Sequence, residues 1–203
     1  MEPQRAEREL KMIRQLMERP VRYSTQSGYA GIIAGVAALA GATLDSYFSS
    51  IYTPATAVWV NMLVWVGVLF VALGGVLALT RLRERKKNMP FWSNVKKRIA
   101  MTIGPPFLAA AGLTAVIVYR WYFKDGPNQW GLISVSWMLF YGITCWQVGE
   151  FSIVEMRFLG VAFIVMGLLT AVYWQANPYD TLRWSFGGFH IIYGLVVRIR
   201  HGG

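Results

Sequence analysis

The chain has 203 residues, of which 55% are hydrophobic and 15% charged, with a formal net charge of +10. Its charges crowd into a few segments separated by apolar runs of about 20 residues, the helical length that crosses a hydrocarbon core, so the pattern excludes an ordinary soluble domain. The lone cysteine, Cys145, excludes an intrachain disulfide and a CxxC metal or redox site.

Residues 1–27 form a charged segment ahead of the first apolar run, too long and too acidic for a cleavable signal peptide. Within it, Ala6, Leu10, Ile13, Leu16 and Met17 recur at helical spacing, Glu7 and Lys11 form an i,i+4 pair, and Pro20 ends the run. The spacing predicts an amphipathic surface helix over 3–19 that lies on an anionic leaflet or docks a cytoplasmic partner.

Six spans follow: Gly28–Phe48, Ala57–Thr80, Ile99–Tyr119, Trp130–Gly149, Met156–Trp174 and Thr181–Ile199. The fold class read from them is all-α, a polytopic membrane bundle over 28–199 with a tail at 200–203. With six spans and the N-terminus inside, the outer side keeps only Arg120, Lys124 and Arg183 of the chain's 20 lysines and arginines. That bias places both termini in the cytoplasm and accounts for the net charge without nucleic acid.

The first span is built from small residues. Gly31 and Gly35 stand four apart, as do Ala37 and Gly41, a spacing that lets a neighbouring helix backbone approach closely. The second span carries Asn61, a polar residue within an apolar run. The basic cytoplasmic loop 81–98 comes next, and its Met89-Pro90-Phe91-Trp92 suits the headgroup region, as a topogenic loop or a site for anionic lipid or a partner. In the third span, Gly104, Pro105 and Pro106 remove two backbone donors, which predicts a kink or a fresh helix start there. The outer connections are compact turns, and Trp59, Trp121, Trp130, Trp174 and Trp184 fall near the outer boundary as an aromatic belt.

The distribution of chemistry narrows the reading further. All ten acidic residues fall in the N-terminal segment, in loops or at span ends, which disfavours a proton antiporter. No lysine lies inside a span, so a retinal Schiff base has no attachment point. The polar group left in the membrane is His190, beside Gly187, Gly188 and Gly194. A neutral imidazole there can bridge helices through Ser, Thr, Asn or Tyr; haem ligation would need a second intramembrane histidine. Ser134 and Ser136 in span four, with His190 in span six, raise a Ser–His dyad of the rhomboid type, but GLISVSW is not a GxSG setting and no oxyanion-stabilising side chain stands out. At the inner face Glu150, Glu155 and Arg157 are placed to form an ion pair across the span-four to span-five hairpin.

Three motifs, LMERPVRYSTQSGYAGIIAG, VEMRFLG and GGFHIIYG, resemble an uncharacterised family of bacterial six-helix inner-membrane proteins of about this length. The resemblance implies the six-span layout and puts weight on Arg22, Glu155, Arg157 and His190. The expectation is a non-enzymatic interaction, sensory or accessory protein of the inner membrane. It would contact the bilayer, anionic lipids at the cytoplasmic face and a protein partner or second copy, with no cofactor, metal or nucleic acid. A small-solute or lipid transporter is the main rival, and an intramembrane serine protease the remote one.

Overall fold

A computed structural model describes residues 27–86, 93–124, 129–173 and 178–201. The segment with Arg22, the amphipathic helix expected over 3–19, Met89-Pro90-Phe91-Trp92 and Trp174 lie outside those residues. Every described element is helical: α1 (Gly28–Ile51), α2 (Pro54–Lys86), α3 (Asn94–Lys124), α4 (Trp130–Val148), α5 (Val154–Val172), α6 (Pro178–Leu182), a π-helical stretch (Arg183–Phe189) and α7 (His190–His201). Helix is the form these apolar runs take because it satisfies every backbone donor and acceptor within the segment. Helices α1 to α5 are each long and apolar enough to cross a membrane. The outward surface agrees: Leu63 and Phe70 on α2 are each 71% exposed and Leu108 on α3 is 75% exposed, side chains that water would not tolerate as a continuous band and lipid does.

Local chemistry sets the turns. Tyr52 ends α1 by donating its backbone N–H to the Phe48 carbonyl, and Pro54 opens α2 in the first-turn position where its missing donor costs nothing. Gly149, after α4, lies against Arg157 so closely that a Cβ would displace that side chain.

The helices pack in the order α2, α1, the π stretch with α7, the α4–α5 hairpin, then α3. Glycine sets two of the contacts. A Cβ on Gly31 would stand 3.0 Å from Gly194 Cα and 3.1 Å from the His190 carbonyl, and one on Gly35 would stand 2.7 Å from the Gly187 carbonyl. This seam lets α1 lie directly on the last helical run. A second seam joins α4 to α5, where a Cβ on Gly142 would be 2.8 Å from the Gly160 carbonyl. Gly41 packs against Val68 of α2. Gly188, expected among the packing glycines, has ordinary room, its nearest neighbour being Trp184 Cε3 at 3.7 Å; it faces away from the α1 seam that Gly187 occupies.

Two expectations change. α3 runs unbroken through Gly104, Pro105 and Pro106, so of the two outcomes expected there the fresh helix start falls away and a kink within one helix is what is left. No neighbouring atom lies within 4 Å of where a Gly104 Cβ would be, so nothing opposes the small adjustments that two missing donors demand. The described part of the 81–98 segment is also helix rather than loop, since α2 continues to Lys86 and α3 begins at Asn94.

The basic ends gather at one end of the bundle and are tied together. Lys96 Nζ meets Glu84 at 2.7 Å, Arg157 meets Glu150 at 2.7 Å, and Arg200 reaches Glu155 at 3.2 Å. Arg98 lies 4.5 Å over the Phe151 ring and Arg198 4.6 Å over Tyr29. Aromatic rings mark the other end, with Trp121 against Trp130 at 4.8 Å and Trp59 against Tyr122 at 6.3 Å.

Candidate functional site

The centre of the molecule is built around His190. Its Nδ1 lies 2.8 Å from the Phe186 carbonyl and its Nε2 2.6 Å from the Tyr141 hydroxyl. A carbonyl can only accept, so Nδ1 carries a proton and donates it to the Phe186 carbonyl, and in a neutral imidazole Nε2 accepts the hydrogen bond of the Tyr141 hydroxyl. Both ring nitrogens are thus engaged within the bundle. Its own backbone N–H goes to the Gly187 carbonyl, three residues back, while the side chain serves the Phe186 carbonyl. A π-helical stretch displaces the regular ladder, and here a side-chain donor meets one of the carbonyls in the displaced register.

Aromatic rings enclose the pair. The Phe186 ring stacks parallel to the imidazole at 6.1 Å, Phe163 meets it edge-on at 5.4 Å, and Tyr141 is tilted against it at 5.3 Å. Trp65 of α2 adds an edge contact to Phe186 at 6.1 Å, and Phe107 of α3 approaches Tyr141 at 6.3 Å. With the glycine seam bringing α1 onto the His190 carbonyl, every long helix touches this hub or the residue that makes it. Below it, Met138, Cys145, Leu159 and Phe163 form a buried cluster. The Cys145 thiol lies one turn from Tyr141 on the same helix.

The Ser–His dyad of the remote protease alternative is not formed. The Ser136 hydroxyl donates to the Ile133 carbonyl at 2.8 Å, and neither His190 nitrogen is bonded to a serine. The imidazole cannot act as a base toward a serine while both of its nitrogens are held this way.

Asn61 lies outside the aromatic hub, in a second polar group toward the aromatic end. Its Nδ2 donates to Ser49 Oγ at 2.8 Å, and the Tyr179 hydroxyl reaches the same oxygen at 2.8 Å. One turn away on both helices, Trp65 Nε1 donates to Asp45 Oδ2 at 2.7 Å. Asn61 Oδ1 is buried without a hydrogen-bond partner. Sequence reasoning located Asn61 but missed Asp45, reading it as a residue at a span end; its position opposite Trp65 depends on how α1 and α2 pair.

At the basic end the hairpin ion pair is made by Arg157 with Glu150, and Glu155 has other partners. Glu155 is buried and turns to the end of α7, with Arg200 and His201 each 3.2 Å away. The stretch at Pro105 and Pro106 lines a shallow open groove of about 420 Å³ with Met101, Thr102, Phe140 and Gln147. His190, Asn61, Glu155 and Pro105 thus occupy four separate environments. Among the described residues, no group of three or more His, Cys, Asp or Glu side chains is placed to hold a metal.

Comparison with protein-family models, with curated proteins and with solved structures finds no match. The class is therefore defined by the fold alone: the described residues are all-helical, with five helices of membrane-spanning length and apolarity, packed around a hydrogen-bonded histidine–tyrosine pair.

Proposed function

We propose that this is a six-span protein of the bacterial inner membrane, with both termini cytoplasmic, that works as a non-enzymatic interaction, sensory or accessory component. The sixth span is the continuous run from Pro178 to His201, about 36 Å of helix with a π-helical stretch inside it. Orientation follows from the basic end, which the positive-inside rule places in the cytoplasm against anionic lipid. The layout agrees with the bacterial six-helix family that the three sequence motifs resemble.

The observation that carries the functional reading is the state of His190. An intramembrane ionisable residue is a functional candidate by default, yet here its donor and its acceptor are both satisfied within the bundle and its faces are covered by rings. Such a group fastens helices together. A small-solute or lipid transporter would be favoured by a shared polar cavity at His190, Asn61 and Pro105, and these lie apart. A packed core leaves the outer faces and the basic end as the working surfaces, fitted to a protein partner or second copy.

The test is native mass spectrometry of the chain extracted with its lipids, alongside flux assays in proteoliposomes. A co-purifying protein or a homodimer is expected. A monomer that carries a solute or lipid across the bilayer would overturn the reading.

A further inference from the structure

The groove beside Pro105 and Pro106 lies between α3 and α4 and is graded from polar to apolar along its length. The two helices run antiparallel: Trp121 meets Trp130 at the aromatic end, and Arg98 meets Phe151, just past α4, at the basic end. Thr102 and Gln147 therefore line the groove toward the basic end, and Ala109 and Phe140 line it about 10 Å deeper, toward the middle of the bundle. The short side chains of Pro105, Pro106 and Ala109 leave the hollow. Its outer side is open, with Met101 at the rim 69% exposed.

Positive charge stands at the polar mouth. Lys97 and Arg98 precede Met101 and Thr102 by four residues each, and so lie one turn nearer the basic end on the same face of α3. Among the described residues neither is in an ion pair, whereas Lys96, Arg157 and Arg200 each hold a glutamate. Arg98 reaches across from α3 toward the end of α4, its guanidinium 4.5 Å over the Phe151 ring. Stacking occupies the flat face of that group and leaves its N–H edge for an anion. Gln147, exposed at the same end, adds an amide donor.

We infer that this groove binds a single anionic phospholipid from the leaflet at the basic end. Its phosphate meets Arg98 and Lys97, an ester carbonyl takes the Gln147 amide, and one acyl chain lies along Pro105, Pro106 and Ala109. Charge, then amide, then apolar wall is the order of chemistry along the groove and along such a lipid. A second copy in the same membrane has the same orientation, so it would bring its own basic end level with Lys97 and Arg98, against like charge. The inference rests on the membrane reading and the anionic leaflet proposed above. It needs no protein partner, and binding in detergent is read without regard to topology, so the two readings fail separately.

Native mass spectrometry of the full chain in detergent, titrated with phosphatidylglycerol or with phosphatidylcholine of the same acyl chains, tests it. One phosphatidylglycerol adduct per chain is expected to saturate at a concentration about 10- to 30-fold lower than any phosphatidylcholine adduct, the preference that two basic residues supply. Lys97→Gln together with Arg98→Gln should remove that preference, and Ala109→Phe, which fills the apolar end, should weaken binding of both lipids. Equal affinity for the two lipids, or a ladder of equivalent adducts, would mean annular lipid only and overturn the site. So would a preference retained in the double variant, or a dimer of the unmutated chain that Ala109→Phe disrupts and added lipid does not. Should the variants fail to fold, a phosphatidylglycerol with a photoactivatable acyl chain decides on the unmutated protein: label on residues 101–109 and 140–147 is the expected result, and label spread evenly over the exposed helices refutes it.

Discussion

Tyr141→Phe, His190→Phe and the double variant together isolate the bond at the centre of the bundle. Tyr141→Phe removes one hydroxyl and leaves His190 Nε2 buried without a donor. An interhelical hydrogen bond in a membrane bundle contributes about 0.6–1.7 kcal/mol, and an orphaned buried acceptor moves the loss toward the upper end, so about 1–2 kcal/mol is expected. His190→Phe removes two bonds, leaves the Phe186 carbonyl without its side-chain donor, and sets a larger ring among neighbours already at 5.3, 5.4 and 6.1 Å. About 2–4 kcal/mol follows from lost bonds and overpacking together. In the double variant the Tyr141 hydroxyl is gone as well, so its loss should fall short of the sum of the singles by about 1 kcal/mol. Unfolding in mixed detergent micelles, followed by circular dichroism, measures all three. Additivity within about 0.3 kcal/mol, or a Tyr141→Phe variant as stable as the parent, would refute the pairing.

Two further perturbations read the packing directly. Gly142→Leu, whose Cβ alone would be 2.8 Å from the Gly160 carbonyl, should destabilise by about 2–3 kcal/mol in the same assay, while Gly67→Ala and Gly112→Ala, with no neighbour within 4 Å, should leave stability level or raise it by under about 1 kcal/mol. Glu84, 2% exposed and bound to Lys96, should cost about 3 kcal/mol when changed to alanine, and Glu84→Met with Lys96→Met together should cost less than Glu84→Ala alone, as thermal midpoints will show.

Much of the layout could be read from the chain because helical membrane proteins write it in one dimension: a run of apolar residues of fixed length, then charge. The Gly31 and Gly35 seam was legible because both residues lie on one helix at a spacing of four. The Gly142–Gly160 seam was not, since each helix contributes a single glycine at the crossing and the pairing exists only once α4 and α5 fold together. His190 was legible as an intramembrane polar residue, but its choice of Tyr141 over Ser134 or Ser136 depends on helix rotation, which periodicity in nearly all-apolar spans does not encode. Gly104-Pro105-Pro106 left a kink and a fresh helix start both open, because proline chemistry is local while the tolerance of a helix for it depends on its surroundings, and the open space beside Gly104 lets one helix run through. The place of Asp45 near the end of its apolar run was legible, but the Trp65 facing it was not.

The lengths of α2 and α3 carry one more consequence. At 33 and 31 residues they measure about 50 and 46 Å, against about 30 Å of hydrocarbon, and they are joined near both extremes by Trp59 with Tyr122 and by Glu84 with Lys96. Two rods pinned at both ends behave as a single lever. A tilt of about 10° about the aromatic end would swing the basic tips by about 8 Å, close to one Debye length at physiological ionic strength. The tips therefore sit where a small rotation of this pair carries their charge into or out of the field of the lipid surface.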